Sequence, residues 1–238
     1  MNGKRRLIAL AFALLLMGAT LIGCVRQEEY EKPNTFGNTK DSFYLYKDLA
    51  VMDVLIEPFE TAKYDLEEYK GFLKQEIGEY NAAHSYTPKP AEEGTSASPD
   101  EPKYSESITL FRCEVDNDLL YQSLLYATAA DYNTFPDNQI RLQRKSGAGL
   151  VTGTLADAPE LLAKTDYVTP NGTKLDIASI ISSQKASEYR YMLADFNCFM
   201  YGDGDVIAYA SGMEWSAENA CAGLGKARYA IMIFHDPR

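Results

Sequence analysis

The chain has 238 residues, and its 23 lysines and arginines against 34 aspartates and glutamates give a formal net charge of −11 at pH 7. Because 46% of the residues are hydrophobic, the chain can bury one sizeable core or two small ones, which excludes wholly disordered, collagen-like and multi-span membrane proteins. The acidic excess argues against nucleic-acid binding, since phosphate neutralisation needs clustered basic residues, and the three at residues 4–6 belong to the N-terminal segment.

The first 23 residues have the pattern of a secretory signal peptide. Basic residues 4–6 precede an apolar run over residues 7–22, and Gly23 then leads to Cys24. The run is shorter than the ~20 residues that a spanning helix needs, although an uncleaved N-terminal membrane helix is the alternative. Residues 21–24, Leu-Ile-Gly-Cys, resemble the bacterial lipobox. This resemblance implies cleavage between Gly23 and Cys24 and attachment of a diacylglyceryl group to the Cys24 sulfur.

Such a lipid would anchor the mature chain on the extracytoplasmic face of the cell membrane. Two acyl chains, at ~0.8 kcal/mol per buried methylene, hold a protein stably on a bilayer. Residues 24–41 begin with the lipidated Cys24 and continue as a polar stretch, which indicates a flexible tether. The alternative is that this stretch forms an ordered strand carrying Tyr30 and Phe36. Losing residues 1–23 removes three positive charges and no negative ones, so the mature chain carries −14. We expect anionic headgroups to repel it.

Residues 42–238 are predicted to form a single α+β domain. Two strands, over residues 43–46 and 51–57, precede an amphipathic helix over residues 66–83, and Asp65 with Glu68 has the spacing of a capping box. The apolar side chains of this helix recur at helical period and are expected to pack in the core: Leu66, Tyr69, Phe72, Leu73, Ile77 and Tyr80. Four prolines within residues 85–103 predict a disordered insertion.

After the insertion, the pattern changes to short strands separated by turns. Strands are predicted over residues 108–115, 119–127, 189–196, 198–201, 206–213 and 229–234. Hairpin turns are predicted at residues 116–118, 170–172 and 202–204. Short helices are predicted at residues 128–135, 157–163 and 217–221. The fold class that follows is α+β, with a largely antiparallel sheet, one main amphipathic helix and a few short helices.

Two segments resemble uncharacterised lipoproteins of Gram-positive anaerobes. The first, Phe59 with residues 64–69, 76–77 and 80–81, is similar to an acidic helix common in that group. The second, residues 191–211, is similar to its strand-rich C-terminal half, through Phe-Asn at 196–197 and Phe-Met-Tyr-Gly at 199–202. The likeness covers about half of the chain and excludes the proline-rich insertion. It implies no catalytic residues.

The cysteines indicate neither a metal site nor a fixed disulfide. Once Cys24 carries a lipid, Cys113, Cys198 and Cys221 remain, which leaves open one disulfide with a spare thiol or three thiols. Cys113 and Cys198 lie in apolar strand patterns and are expected to be buried, inert thiols. A zinc site of Cys198, Cys221 and His235 would lack any supporting ligand spacing, so no metal and no cofactor is predicted.

Catalytic motifs are equally missing from the sequence. His84 and His235 are expected at the surface or at an edge, and the acidic pairs at residues 67–68 and 92–93 are expected to be solvated. Residues 202–205, Gly-Asp-Gly-Asp, are too short for a calcium loop and favour a hairpin turn. We therefore predict no catalytic residue.

The aromatic side chains suggest binding. The chain has 17 tyrosines, 10 phenylalanines and one tryptophan, and Tyr201, Tyr209 and Trp215 lie in a turn-rich region that could expose them to a ligand. We expect a lipid-anchored envelope protein of non-catalytic binding or structural role, whose partner is a cell-wall glycan or an extracellular protein. The alternatives are an envelope hydrolase with a site not visible in the sequence and the solute-binding component of a transporter.

Overall fold

The chain folds into two mostly antiparallel sheets with one main helix, in a computed structural model that describes residues 41–84, 106–139, 149–196, 198–216, 221–223 and 225–235. The predicted α+β class is confirmed. The described residues belong to one compact unit, Thr39–Arg238. The predicted signal peptide, Cys24, the tether up to residue 40 and the proline-rich insertion lie outside the described residues, as do residues 217–220 of the helix predicted near the C-terminus.

The strands, in chain order, are β1 (Ser42–Leu45), β2 (Val51–Pro58), β3 (Ile108–Asp116), β4 (Leu119–Tyr126), β5 (Leu150–Thr154), β6 (Tyr167–Val168), β7 (Lys174–Leu175), β8 (Tyr189–Ala194), β9 (Phe199–Gly202), β10 (Asp205–Ala210), β11 (Glu214–Ser216), β12 (Cys221–Gly223) and β13 (Ala230–His235). The helices whose bounds lie within the described residues are α1 (Leu66–His84), α2 (Ala129–Thr134), α3 (Glu160–Ala163) and α4 (Ile177–Ile181), and residues 136–139 are also helical. Two 3₁₀ turns cover Leu155–Asp157 and Ala186–Glu188.

Both sheets combine strands that are distant in the sequence. The larger has the order β11-β12-β9-β1-β2-β4-β3, and the smaller has the order β5-β8-β13-β10-β6-β7. Among the described residues, all strand pairings are antiparallel except that of β1 with β9, in which Ser42 lies opposite Phe199 and Leu45 lies opposite Gly202. The chain thus passes from the smaller sheet to the larger one after β8 and returns after β9.

Local turn chemistry explains the hairpins that were predicted correctly. Asn117 and Asp118 have φ angles of 49° and 60°, the left-handed pair that joins twisted antiparallel strands, and β3 pairs with β4 around them. The turn between β6 and β7 has Gly172 at φ 82°. Thr128 caps α2 as predicted, accepting a hydrogen bond from the backbone nitrogen of Asp131 at 3.1 Å.

Three local predictions are wrong. Residues 202–204 do not form a hairpin turn, because β9 and β10 lie in different sheets, and the Asp203 carboxylate instead accepts a hydrogen bond from the Tyr44 hydroxyl at 2.7 Å. Cys221 begins strand β12 rather than ending a helix. The helix predicted from Asp157 begins only at Glu160, because Asp157 ends a 3₁₀ turn and Pro159 precedes α3.

The two sheets and α1 share one hydrophobic core. Phe43 on β1 contacts the rings of Tyr132 and Phe196 edge-on, at centroid distances of 5.1 and 5.6 Å. Gly202 on β9 lies so close to Phe234 of the other sheet that an added Cβ would sit 2.6 Å from its ring. Leu73, Ile77 and Tyr80 are the buried residues of α1 and join the same core.

Two asparagine side chains each form two hydrogen bonds with the backbone of the first residue of an edge strand. The side-chain amide of Asn81 on α1 donates to the Ile108 carbonyl at 2.8 Å and accepts from the Ile108 nitrogen at 2.9 Å. The amide of Asn133 on α2 makes the same pair of bonds with Leu150, at 2.7 and 2.8 Å. Ile108 begins β3 and Leu150 begins β5, which are edge strands of the two sheets.

Candidate functional site

An open groove lies where the chain leaves β2 and enters α1. Its volume is about 360 Å³. Aromatic side chains dominate its lining, and charged side chains stand among them: Phe59, Tyr64, Tyr69 and Phe72, with Lys63, Asp65 and Glu68. We call this feature the aromatic groove.

Backbone hydrogen bonds hold the segment that forms the groove. The Phe59 nitrogen donates to the carbonyl of Asp118 in the β3–β4 turn at 2.8 Å, and the Tyr64 nitrogen donates to the Glu60 carbonyl at 3.0 Å. The Asp65 carboxylate then accepts hydrogen bonds from the backbone nitrogens of Glu67 and Glu68, at 2.7 and 3.1 Å, which starts α1 as predicted. These bonds fix the groove residues on one edge of the domain.

The aromatic rings of the groove form a concave surface. The Phe59 side chain is buried and forms its floor. Its ring centroid lies 6.1 Å from that of Tyr64 and 6.2 Å from that of Tyr69, with the ring planes at 54° and 62°. Tyr69 is held by a 2.6 Å hydrogen bond from its hydroxyl to the side-chain carbonyl of Gln122. Tyr64 and Phe72 are 62% and 60% exposed, among the most exposed large hydrophobic residues in the described part of the chain.

The exposure of Phe72 corrects the sequence-based expectation that it packs in the core. At about 100° per residue, Phe72 lies about 100° from Leu73 and about 140° from Ile77, so it stands at the margin of the apolar stripe. Asp65, Glu68 and Tyr69 fall on that same margin. The angular position of Phe72 on the helix follows from the sequence. Periodicity alone does not predict how far around the helix the neighbouring elements cover it.

The charges near the groove are largely paired within the domain. Lys63 forms an ion pair with Glu60, and Lys70 forms one with Glu67 at 2.8 Å. The Asp65 carboxylate caps the helix. The Glu68 carboxylate is exposed and makes no ion pair with any residue in the described part of the chain. The Glu68 carboxylate is thus fully available at the groove, and Asp65 is engaged in capping through its Oδ1 atom.

The aromatic residues singled out from the sequence lie elsewhere and are less accessible than expected. Tyr201 on β9 and Tyr209 on β10 are buried, and Trp215 on β11 is half-buried. Tyr209 and Trp215 stack with their ring centroids 5.4 Å apart and their planes 6° apart, which joins the smaller sheet to the larger one. This stacking accounts for the reduced exposure of Tyr209 and Trp215, and a ligand-binding role for the three residues remains a prediction.

The cysteines do not gather into a site. Cys198 is a buried thiol, whereas Cys113 is half-buried, and burial raises the pKa of the Cys113 thiol. The backbone of Cys221 is described, and its side chain is not. Among the described residues, no group of three or more His, Cys, Asp or Glu side chains is placed to hold a metal ion.

The two histidines pack against aromatic rings. His84 stacks on Tyr80 with a centroid distance of 4.1 Å, and its Nδ1 lies 3.0 Å from the Tyr80 carbonyl oxygen. His235 stacks on Tyr189 at 4.6 Å and lies 3.7 Å from the Glu188 carboxylate. Each ring is thereby held by neighbours on its own or an adjacent element.

Comparison with protein-family models, with curated proteins and with solved structures gave no match for this chain. In the described residues, no helix has the length and apolar character that crossing a membrane requires.

Proposed function

We propose that the chain is a lipid-anchored protein of the bacterial cell envelope, and that its α+β domain binds a protein partner non-catalytically in the aromatic groove. The anchor is supported by residues 21–24, Leu-Ile-Gly-Cys, and by the basic and apolar segments before them. Cleavage before Cys24 and diacylglyceryl attachment would hold the domain on the extracytoplasmic face of the cell membrane.

Substitution of the lipid-bearing residue tests the anchor. In a bacterial host, we expect the wild-type chain to resist carbonate washing of membranes and to enter the detergent-rich phase of Triton X-114. Cys24→Ala should enter the soluble and aqueous fractions, whereas Cys113→Ala should behave as wild type. Retention of Cys24→Ala in the washed membranes would overturn the lipid anchor.

One observation supports binding: Tyr64 and Phe72 are each about 60% exposed beside the buried ring of Phe59. Exposed aromatic side chains that adjoin one another mark interaction sites more often than isolated surface residues do. Tyrosine and phenylalanine are also enriched where proteins contact each other. The groove supplies apolar surface and the unpaired carboxylate of Glu68, while Oδ1 of Asp65 is engaged in capping α1, and this arrangement favours binding over catalysis.

The shape of the groove favours a protein side chain over a sugar. Stacking on a pyranose needs a flat ring that presents one face. Here the rings of Tyr64 and Tyr69 are tilted by 54° and 62° against Phe59, so the three rings form a concavity. A concavity of this kind accepts an inserted side chain, as at the anchoring residues of protein interfaces.

A binding assay on the full chain in uncharged detergent micelles tests this function. The probes are an array of acetylated hexapeptides of defined composition, together with soluble chitin and peptidoglycan fragments. We expect the wild type to retain peptides that contain a long side chain, and Tyr64→Ser combined with Phe72→Ser to weaken this binding at least tenfold. Leu161→Ser, which also removes an exposed apolar side chain, should bind as wild type.

Three outcomes would overturn the protein-partner function. The wild type would retain no peptide, or it would retain only the glycan fragments, or the double substitution would bind the peptides as well as the wild type does. Circular dichroism of the double variant serves as a folding check, and both substituted side chains are exposed, so we expect an unchanged spectrum.

A further inference from the structure

The aromatic groove combines apolar walls with two exposed carboxylates, those of Asp65 and Glu68, neither of which is ion-paired within the described part of the chain. Lys63 and Lys70 are paired with Glu60 and Glu67, and the Asp65 carboxylate accepts hydrogen bonds at the start of α1. Both of these hydrogen bonds go to Oδ1 of Asp65, whereas the Glu68 carboxylate, which also lines the groove, has neither oxygen engaged within the described residues and is the freer of the two to meet an incoming group. A ligand that fits both features has an apolar stem and a positively charged end.

We propose that the partner inserts a lysine or arginine side chain into the aromatic groove. The inference rests on the proposed function, because it names the chemistry of the partner at that site. The methylene stem of the side chain packs against Phe59 and Phe72, and its cationic head reaches Glu68. The faces of aromatic rings are negative, so the same rings that pack against the methylene stem also attract the cation.

The net charge of the chain also favours a cationic side chain as the ligand of the groove. The mature chain expected after cleavage before Cys24 has 20 basic and 34 acidic residues, a net charge of −14, so its long-range field favours the approach of a basic partner over an acidic one. A glutamate-bearing segment would place a second carboxylate beside Glu68 and is rejected by like-charge repulsion. Among side chains with an apolar stem, the charge of the groove therefore favours lysine and arginine over glutamate.

Three matched peptides separate this inference from the proposed function. Each is an acetylated hexapeptide amide with one variable central residue: lysine, its uncharged isostere norleucine, or glutamate. Binding to the full chain in uncharged micelles is measured at low and high salt, for the wild type, Glu68→Gln and the combined Tyr64→Ser and Phe72→Ser variant. Glu79→Gln, an exposed carboxylate elsewhere on α1, is the control.

We expect the lysine peptide to bind the wild type about tenfold more tightly than the norleucine peptide, from an exposed ion pair and a cation–π contact together. Glu68→Gln should weaken lysine binding about threefold and leave norleucine binding unchanged, whereas Glu79→Gln should change neither. High salt should reduce the preference for lysine.

The results distinguish two kinds of failure. If norleucine and lysine bind equally and both are lost in the aromatic double variant, the cationic partner is refuted and the binding groove stands. If no peptide binds the wild type, or if the aromatic double variant binds lysine normally, both the inference and the proposed function fail. If Glu68→Gln leaves the lysine preference intact, Glu68 is not the recognition group and the inference fails.

Discussion

Substitution of Gly202 by alanine tests how closely the two sheets approach each other. Gly202 ends β9 in the larger sheet, and a Cβ added there would lie 2.6 Å from Cε1 of Phe234 and 2.8 Å from its Cζ. Phe234 is fully buried on β13, so its ring has no open space into which it can turn. One extra methyl group in a packed core costs about 1–3 kcal/mol, and we expect Gly202→Ala to lower the free energy of unfolding by this amount.

Urea denaturation of the full chain, followed by circular dichroism, measures this loss as a lower midpoint at unchanged slope. Gly71→Ala on the exposed face of α1 is the matched control, because its Cβ would meet nothing within 4 Å and it should stabilise the helix by about 1 kcal/mol. The combined Gly202→Ala and Phe234→Leu variant should lose less stability than the sum of the two single changes. Wild-type stability in Gly202→Ala, or strict additivity with Phe234→Leu, would refute the close approach.

Three further predictions concern stability. Asn81→Ala should cost about 1–3 kcal/mol in urea denaturation, because the buried backbone groups of Ile108 lose both side-chain partners; an unchanged midpoint would contradict that role. Asp65→Ala should cost about 0.5–2 kcal/mol through the lost helix cap, and Asp65→Asn should restore most of it. Burial raises the pKa of Tyr44, Tyr46 and Tyr167 above the ordinary value of 10.0, so the folded state keeps these protons after the unfolded state releases them. Stability is therefore lost as pH rises above 10, by roughly 1.4 kcal/mol per pH unit for each tyrosine, and Tyr167→Phe should reduce the slope of unfolding free energy against pH.

Local elements of the fold were predictable because their determinants are neighbours in the sequence. Asn117 and Asp118 tolerate the positive φ angles of the β3–β4 turn, and Thr128 and Asp65 lie directly before the helices that they cap. Helix α1 was predicted within one residue because its apolar period runs unbroken to Tyr80. In each case, the physical cause acts over a few residues.

The sheet order was not predictable, because its determinants act across the chain. Strand β1 pairs in parallel with β9, and this places Ser42 beside Phe199 with no local signal in either segment. Gly202 and Gly204 are residues typical of a hairpin turn, which is why the sequence predicts one. The strands on either side, β9 and β10, pair in different sheets, so no hairpin forms. The short strands β5, β11 and β12 were missed for the same reason, since their edges are defined by their neighbours.

The candidate site was only partly visible in the sequence. The sequence marks Phe59 and residues 64–69 through their resemblance to a lipoprotein helix, and the apolar period of α1 predicts that Phe72 packs in the core. Whether an aromatic side chain at the margin of a helical stripe is covered depends on the element packed beside it, and none of the described elements covers Phe72. Conversely, Tyr201 and Tyr209 were expected near the surface because turns surround them, yet the opposed sheets bury them.

The asparagine pairs at Ile108 and Leu150 have a consequence for how copies of this protein behave when crowded. An edge strand offers its free backbone groups to any other strand, and intermolecular pairing of this kind begins aggregation. At the start of β3 and of β5, an amide side chain already occupies both the donor and the acceptor, much as a neighbouring strand would. At one end of each of these two edge strands, a single side chain therefore occupies the backbone groups with which a strand from another molecule would pair. We expect intermolecular pairing to be blocked at Ile108 and at Leu150.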